Sequence, residues 1–442
     1  MRTVQELREY ADRCLFAGDF ERALHGYAAL VRIQPHDLDA RQRIGDGLLA
    51  LEAVQEAAQV YTALARHAAL GGYPLRALVA LKILERLEPQ LSQLQDAVAR
   101  LYSLGSEKLG RGVRLSLADH RVALPEIDLS ATPSREALIR AAAMIGTDTS
   151  SIAVYPEQLP PIPLFSELPA EAFSAVLRAL KLRRTRPEEA IIEQGEAGHS
   201  FFVIARGSVK ITRLSQEGPE IELATLHEGS LFGEMALVSA EPRSATVRAE
   251  QDADLLEFDR SALQAAASEV STIAAALDRF TRERLLNNLM ATSPLFRPLE
   301  REQRLDLMRR FSAHEVGAGT PIIREGETGL GLYVLLSGEV EVFKTEGDDR
   351  IPLATLHGGD VFGEISLITD EPTTASVSAI SNSTVLFLAR EFFQKLITAV
   401  ESIRDYVEDL GEERMMDTRL TIADGGDLSI EIDVDEDELL LI

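Results

Sequence analysis

The stretch LFGEMALVSAEPRSATV, residues 231–247, contains the most informative pattern in the chain. Strand-type residues end at Phe232, Gly233 permits a tight turn, and the following EMALVSA can form one short helix before Pro242 stops it. A helix that begins at a glycine turn directs several unpaired backbone N–H groups at one point, which favours an anion. Arg243 follows and can bind a phosphate through two parallel hydrogen bonds.

Glu234 stands at the start of the same predicted helix, and its carboxylate can only accept hydrogen bonds. It therefore suits a sugar hydroxyl rather than the phosphate itself. One loop thus offers donors for a phosphate and an acceptor for a ribose, a combination that suits a nucleotide. The alternative is a loop that folds in this way and binds nothing.

The pattern returns about 130 residues later as VFGEISLITDEPTTASV, residues 361–377. Gly363 and Glu364 are kept, but Thr373 stands in place of the arginine. A hydrogen bond to a charged group contributes roughly 1.5–3 kcal/mol, so its loss weakens phosphate binding by about ten- to a hundredfold. We expect this copy to be structural or to bind a different ligand. Weak binding through the helix N-terminus and Thr373 is the alternative.

Further repeats surround the two stretches. FFVIARGSVKIT (201–212) and LYVLLSGEVEVF (332–343) both alternate in the manner of β-strands across a central glycine. PLF at 163–165 returns at 294–296. The chain therefore contains two copies of one strand-rich unit, each with flanking helices.

Residues 3–104 indicate successive helices, because leucines and alanines recur at three- and four-residue intervals between short breaks. The repeated positions are Ala23, Tyr27 and Leu30 and, about 34 residues later, Ala57, Tyr61 and Leu64. This spacing resembles the tetratricopeptide repeat, a helix hairpin that stacks into a solenoid, with Gly45 at a small-residue position. The third unit is out of phase and the chain has no tryptophan, so a plain helical bundle is the alternative.

GEMAL and PRSAT at this separation resemble the phosphate-binding cassette of cyclic nucleotide-binding domains. Such domains occur in protein kinase A regulatory subunits, cyclic-nucleotide-gated channels and catabolite activator proteins, and the resemblance covers residues 164–412. It implies that Glu234 binds the ribose 2′-hydroxyl, that Arg243 binds the cyclic phosphate, and that the backbone amides of Ala236 and Ser244 complete the pocket. The predicted ligand-binding residues are Gly233, Glu234, Met235, Ala236, Arg243, Ser244 and Ala245, and those of the degenerate second site are Gly363, Glu364, Ile365, Ser366, Thr373 and Thr374.

The sequence departs from the family in the loop before the FFVI-type strand. His199 and Leu330 stand where family members often have an acidic residue that supports the arginine. Arg243 is therefore expected to be held less rigidly. In the family, a threonine after the arginine favours cGMP and an alanine favours cAMP, and bacterial activators with serine there use cAMP. Ser244 thus favours cAMP over cGMP as regulatory ligand, and no cofactor is expected.

Charge and composition exclude several classes of protein. The net charge of −26 repels phosphate backbones, whereas nucleic-acid binders usually present a basic face. The basic stretch KLRRTR, 181–186, is expected to be a solvated surface turn. Cys14 is the single cysteine, and no run of about 18 apolar residues or signal-peptide core occurs. We therefore expect a cytoplasmic protein without membrane insertion, nucleic-acid binding or a metal site.

These patterns predict a multidomain chain, in which an all-α helical-repeat array precedes two α+β cyclic nucleotide-binding domains of β-roll type with flanking helices. The expected divisions are the array (1–105), a connector with one helix and a proline-rich stretch (106–163), the first domain (164–290), the degenerate second domain (291–416) and an acidic tail (417–442). Helices over 261–290 join the two domains, and the resemblance implies that they close over the occupied cassette. Leu285, Leu286 and Leu289 are the predicted lid or inter-domain contacts, with ordinary packing as the alternative.

No kinase-like catalytic set, P-loop or nucleophile motif occurs in the sequence. We therefore predict a non-enzymatic regulatory or adaptor protein that binds a cyclic nucleotide in its first domain. The connector lacks an arginine-arginine-x-serine/alanine pseudosubstrate, so output is expected through protein partners at the helical array or the acidic tail, and a homodimer is left open. The alternative is a constitutive scaffold whose domains no longer sense ligand. A transcription factor is a third and less favoured alternative.

Overall fold

The N-terminal part of the chain is an array of helices. The computed structural model describes residues 3–87, 92–112, 114–115, 133–150, 155–214, 220–233, 242–277, 279–280, 293, 295–296, 298–346 and 349–423. The array contains α1 (Val4–Phe16), α2 (Phe20–Ile33), α3 (Leu38–Ala50), α4 (Val54–Leu70), α5 (Pro74–Leu87) and α6 (Ser92–Tyr102). The side chains of Thr3, Asp19 and Asp37 cap the first three helices by accepting a backbone N–H.

The repeated positions of the array make repeated contacts. Tyr61 packs on Gly45, where a β-carbon would stand 2.7 Å from the tyrosine Cζ. Its hydroxyl donates to Asp46 Oδ1 at 2.5 Å, and the Tyr27 hydroxyl donates to Asp12 Oδ1 at the same distance. The two helix pairs thus share one packing scheme, while the tetratricopeptide assignment itself stays a prediction.

The faces of the array are covered by other parts of the same chain. The connector contains the expected helix as α7 (Arg135–Thr147), which packs on α2, α3 and α4. The buried Arg41 fixes its C-terminal end by donating to the carbonyls of Ile145, Gly146 and Asp148. The faces of α3 and α5 lie against the first strand-rich unit. Parts of the array surface that could contact a partner are therefore covered by the chain itself.

The first strand-rich unit is a pair of four-stranded antiparallel sheets. Their orders are β1-β8-β3-β6 and β2-β7-β4-β5. The strands are β1 (Lys181–Thr185), β2 (Ala190–Ile192), β3 (Ser200–Arg206), β4 (Ser208–Leu214), β5 (Glu220–His227), β6 (Leu231–Phe232), β7 (Thr246–Ala249) and β8 (Ala253–Asp259). Helices α8 (Ala170–Ala179) and α9 (Arg260–Glu269) flank it, and residues 271–277 are helical.

The second unit repeats this topology, with sheet orders β14-β11-β16-β9 and β10-β15-β12-β13. Its strands are β9 (Ser312–Val316), β10 (Pro321–Ile323), β11 (Gly331–Ser337), β12 (Val340–Glu346), β13 (Asp349–Leu356), β14 (Val361–Phe362), β15 (Ser376–Ala379) and β16 (Ser383–Ala389). Its helices are α10 (Arg301–Met308), α11 (Ile365–Ile368), α12 (Arg390–Ala399) and α13 (Glu401–Ala423). The predicted architecture, a helical region followed by two β-rich domains with flanking helices, is confirmed.

Two local expectations differ from the structure. The basic stretch at 181–186 is not a solvated turn, because Lys181–Thr185 forms β1 and pairs with β8. Arg184 there reaches Asp46 and Asp254, whose charges explain why an arginine is accommodated. The last helix runs through Ala423, beyond residue 417, where the tail was expected to begin. The remainder of the predicted tail lies outside the described residues.

Apolar packing divides the described chain unevenly. One continuous core joins the array, α7, α8, α9 and the outer face of the β1-β8-β3-β6 sheet. Helix α5 is buried on all sides from Pro74 to Leu84, because α4, α6 and β3 surround it. The second strand-rich unit has separate cores of its own. In the described part of the chain, no helix is long and apolar enough to cross a bilayer.

Candidate functional site

The site in the first domain is built on the turn that follows β6. Phe232 stacks on Phe202 of the paired strand β3, with ring centroids 5.2 Å apart, which fixes the end of β6. Gly233 then adopts a φ of 76°, in the left-handed region where glycine is favoured. Its carbonyl faces the side chain of Arg243, and the turn therefore brings the predicted phosphate ligand to the start of the cassette.

Arg243 is held by main-chain groups. Its Nη1 donates to Gly233 O at 2.9 Å and its Nη2 to Ser200 O at 2.6 Å. The side chain also lies directly over Gly198, where a β-carbon would stand 2.3 Å from Nε. The guanidinium is half-buried and faces the cassette turn rather than open solvent. Two carbonyls thus give it a defined position, although His199 stands where the family often has a supporting acid.

The remaining predicted residues divide into two groups. Ser244 is exposed and Ala245 is half-buried directly beside Arg243, so both belong to the same loop. Glu234, Met235 and Ala236 lie outside the described residues, as do the predicted lid residues Leu285, Leu286 and Leu289. Their assignment to the site stays a prediction.

The second domain holds Thr373 in the same backbone frame that holds Arg243. In the first domain, Gly195 N donates to Arg243 O and Arg243 N donates to Glu196 O, each at 2.8 Å. In the second, Gly326 N donates to Thr373 O at 2.8 Å and Thr373 N donates to Glu327 O at 2.9 Å. The two positions are therefore structurally equivalent, and the difference lies in the side chains.

The Thr373 hydroxyl is used within the protein. It donates to Arg324 O at 2.5 Å and lies 3.2 Å from Glu327 O, and the residue is buried. Thr374 beside it is half-buried. The Thr373 hydroxyl is therefore engaged by carbonyls of its own loop. Because threonine is also uncharged, this side chain supplies no cationic group for a phosphate.

The cassette glutamate of the second domain is paired with the C-terminal helix. Glu364 is 1% exposed, and its Oε1 lies 3.0 Å from Arg414 Nη1 of α13. The same nitrogen donates to Val361 O at 2.5 Å, just before the cassette turn. Burying a carboxylate requires such a partner, so α13 is fixed against the cassette. Arg414 was not predicted as a site residue, because one arginine within an acidic helix gives no signal of its target.

The other second-site residues also face inward. Gly363 has a φ of 82° and repeats the turn of Gly233. Ser366 is buried and its hydroxyl donates to Gly363 O at 3.2 Å, while Ile365 is half-buried at the start of the short helix α11. A separate cleft of about 870 Å³ lies between α11, α12 and α13. None of the predicted second-site residues lines it, although Leu367, Ile368 and Asp370 of the same stretch do.

The fold and the paired cassettes define a class of protein, and comparison with known sequences agrees. The sequence-family model described as the cyclic nucleotide-binding domain matches residues 182–269 and 313–399. The chain therefore contains two cyclic nucleotide-binding domains in tandem, and they resemble those of the regulatory subunits of cAMP-dependent protein kinase.

Among curated relatives, the cAMP-dependent protein kinase regulatory subunit of Yarrowia lipolytica is 32% identical over 241 residues, which is 54% of this chain and 59% of that protein. The type II regulatory subunit of Drosophila melanogaster is 28% identical over 261 residues, 57% of this chain and 66% of that protein. The chain thus spans about three fifths of the length of these relatives.

Solved structures also match part of the chain. The regulatory domain of Toxoplasma gondii PKA with cAMP is 26% identical, with a TM-score of 0.28, over 57% of this chain and 92% of that chain. The catabolite activator protein of Thermus thermophilus is 26% identical, with a TM-score of 0.25, over 35% of this chain and 75% of that chain.

Proposed function

We propose that this protein is a non-enzymatic regulatory protein that binds cAMP in its first domain and transmits occupancy to protein partners. The observation that supports this most is the position of Arg243, held by two carbonyls at the cassette turn of a cyclic nucleotide-binding domain. The curated relatives are named as cAMP-dependent regulatory subunits. Ser244 favours cAMP, and cGMP is the competing ligand.

The experiment is calorimetric titration of the whole chain with cAMP, cGMP and 5′-AMP. We expect one cAMP per chain, because Thr373 and Glu364 are engaged within the protein. Arg243→Leu should weaken binding by about ten- to a hundredfold, the equivalent of a lost charged hydrogen bond.

Arg183→Leu is the matched control, because Arg183 also donates to two carbonyls of the same domain, those of Ile191 and Ala190, outside the cassette. Its affinity for cAMP should equal that of the wild type. Two equal sites, or equal affinity in the Arg243 and Arg183 variants, would contradict the proposal.

A constitutive scaffold is the second candidate. It is favoured by the Arg414–Glu364 pair, which closes the second cassette with the chain's own helix. In that case no cyclic nucleotide should alter the thermal unfolding of the protein, whereas a ligand that binds the native state alone raises its stability.

A further inference from the structure

The contact between the helical array and the first nucleotide-binding domain is made by a network of charged side chains. Members from α3 and α5 meet members from the sheet across a shared boundary. The array supplies Asp39, Gln42, Arg43, Asp46 and Arg76, and the domain supplies Arg184, Arg206, Glu228, Asp252 and Asp254. The array surface and the domain surface each carry positive and negative charges, and these are placed so that opposite charges meet.

Asp254 is the buried centre of this network. It is fully buried and accepts from Arg184 Nε and Arg206 Nε, each at 2.8 Å, and from Gln42 Nε2 at 2.5 Å. Burial alone would raise the pKa of its carboxyl, but Arg206 and Arg184 outweigh burial and hold that pKa well below its usual value. Arg184 also binds Asp46 of α3 through two bonds of 2.6 and 2.8 Å.

A second contact lies at the turn that leads into the cassette. Arg76 of α5 is 6% exposed and donates to Glu228 Oε2 from Nε at 3.0 Å and from Nη2 at 2.7 Å. Its remaining side is paired with Asp39. Glu228 lies in the turn between β5 and β6, so a buried arginine of the array fixes the segment that precedes Gly233.

The turn is connected rigidly to the ligands of Arg243. Gly229 N donates to Ile204 O at 2.8 Å and Ile204 N donates to Ser230 O at 2.9 Å, which bind the turn to the middle of β3. Strand β3 begins at Ser200, whose carbonyl accepts from Arg243. The short strand β6 ends one residue before Gly233, the other acceptor. One acceptor of Arg243 therefore lies on β3, to which this turn is hydrogen-bonded, and the other directly follows β6, into which the turn leads.

From this arrangement we propose that Arg76 is a positioning residue of the first nucleotide site, and that docking of the array and binding of the cyclic nucleotide stabilise each other. This inference rests on the proposed function. With the Arg76–Glu228 pair intact, the turn and Gly233 are preorganised for ligand, which raises affinity. Linkage then requires the ligand to strengthen docking of the array by the same factor. The array is thus the first element of the protein to receive the signal.

The test compares a variant in the turn after β5 with a variant on β5 itself, by titration of the whole chain with cAMP. Glu228→Gln removes the charge that Arg76 binds and should weaken cAMP binding about fivefold, the low end of typical couplings. Glu222→Gln on β5 removes the carboxylate that pairs with Lys210 at 3.1 Å within the domain, and should leave affinity unchanged.

A double-mutant cycle then distinguishes loss of the Arg76–Glu228 interaction from a general loss of structure. Arg76→Gln removes the pairs with both Glu228 and Asp39 and should weaken binding at least as much as Glu228→Gln does. The double variant should be no weaker than Arg76→Gln, because the Arg76–Glu228 interaction is already lost there. Additive losses would indicate independent structural damage and would overturn the inference.

Hydrogen exchange of the unmodified protein gives a readout that requires no variant. With saturating cAMP, backbone amides of α3 and α5 should exchange about fivefold more slowly. If cAMP binds but these amides are unaffected and Glu228→Gln behaves as Glu222→Gln, the coupling is wrong while the proposed function stands. If the unmodified protein binds no cAMP, both are wrong.

Discussion

Arg243 and Thr373 occupy one backbone site in two copies of a domain, held by the same pair of main-chain hydrogen bonds. Sequence alone predicted their equivalence, because both follow a proline at a fixed distance from FGE. It did not predict how each side chain is used. The carbonyls that hold Arg243 come from the turn and from a neighbouring strand, and only the fold brings Ser200 to that place.

This equivalence leads to a prediction for the second cassette. In an Arg243→Leu background, Thr373→Arg should create a weak cAMP site, because Gly363 O and Gly331 O stand where Gly233 O and Ser200 O hold Arg243. Calorimetric titration compares the double variant with Arg243→Leu alone, and the difference reports the second domain. Thr373→Lys is the control and should gain less, since lysine cannot bind a phosphate through two parallel bonds. Absence of any gain would mean that Arg414 and Ser366, not the missing arginine, close the cassette.

Among the elements, the helices were the most predictable. The sequence predicted successive helices over residues 3–104 and one helix in the connector, and α1 to α7 lie there, since periodicity and short loops are local features. The strand around KLRRTR was missed because its three arginines suggested a solvated turn, and Asp46 of the array, which pairs with Arg184, is far away in sequence. The pairing of α13 with Glu364 was missed for the same reason.

The packing of α4 against α7 and the connector predicts a dependence on pH. His67 of α4 is 1% exposed, bonds Tyr155 at 3.0 Å through Nδ1, and leaves Nε2 without a partner. Burial, with help from the Arg41 and His36 charges, lowers the pKa of His67 from 6.5 to about 4. The stability from neutral His67 is therefore complete above pH 6.5 and is lost as the pH falls toward 4.

The free energy of unfolding should therefore be about 2 kcal/mol lower at pH 5 than at pH 7. Chemical unfolding at the two pH values measures it. His67→Asn should remove most of this difference, whereas His357→Asn, at an exposed position, should not. Asp254 and Asp46 titrate below their usual range, so their contribution is lost only at more acidic pH and does not confuse the measurement.

At the scale of the whole molecule, the arrangement of the cores predicts two unfolding transitions. The array shares one core with α8, α9 and the outer face of the β1-β8-β3-β6 sheet, and a further core lies between the two sheets of the first domain. The second domain has separate cores. In calorimetry, cAMP should raise only the transition that includes the array. Arg414→Ala should lower only the other one, because it leaves Glu364 buried without its charge partner. A single transition that both changes shift together would contradict this division.

The burial of helix α5 on all sides from Pro74 to Leu84 has a practical consequence for anyone who divides this protein. A fragment trimmed to the first nucleotide-binding domain would expose the apolar outer face that α5 normally covers, and Asp254 would lose its hydrogen bond from Gln42. Such a fragment should precipitate or self-associate. The minimal unit for biochemical study is accordingly the helical array expressed together with the first nucleotide-binding domain. A homologous domain placed in this chain would also need the surface that matches the array.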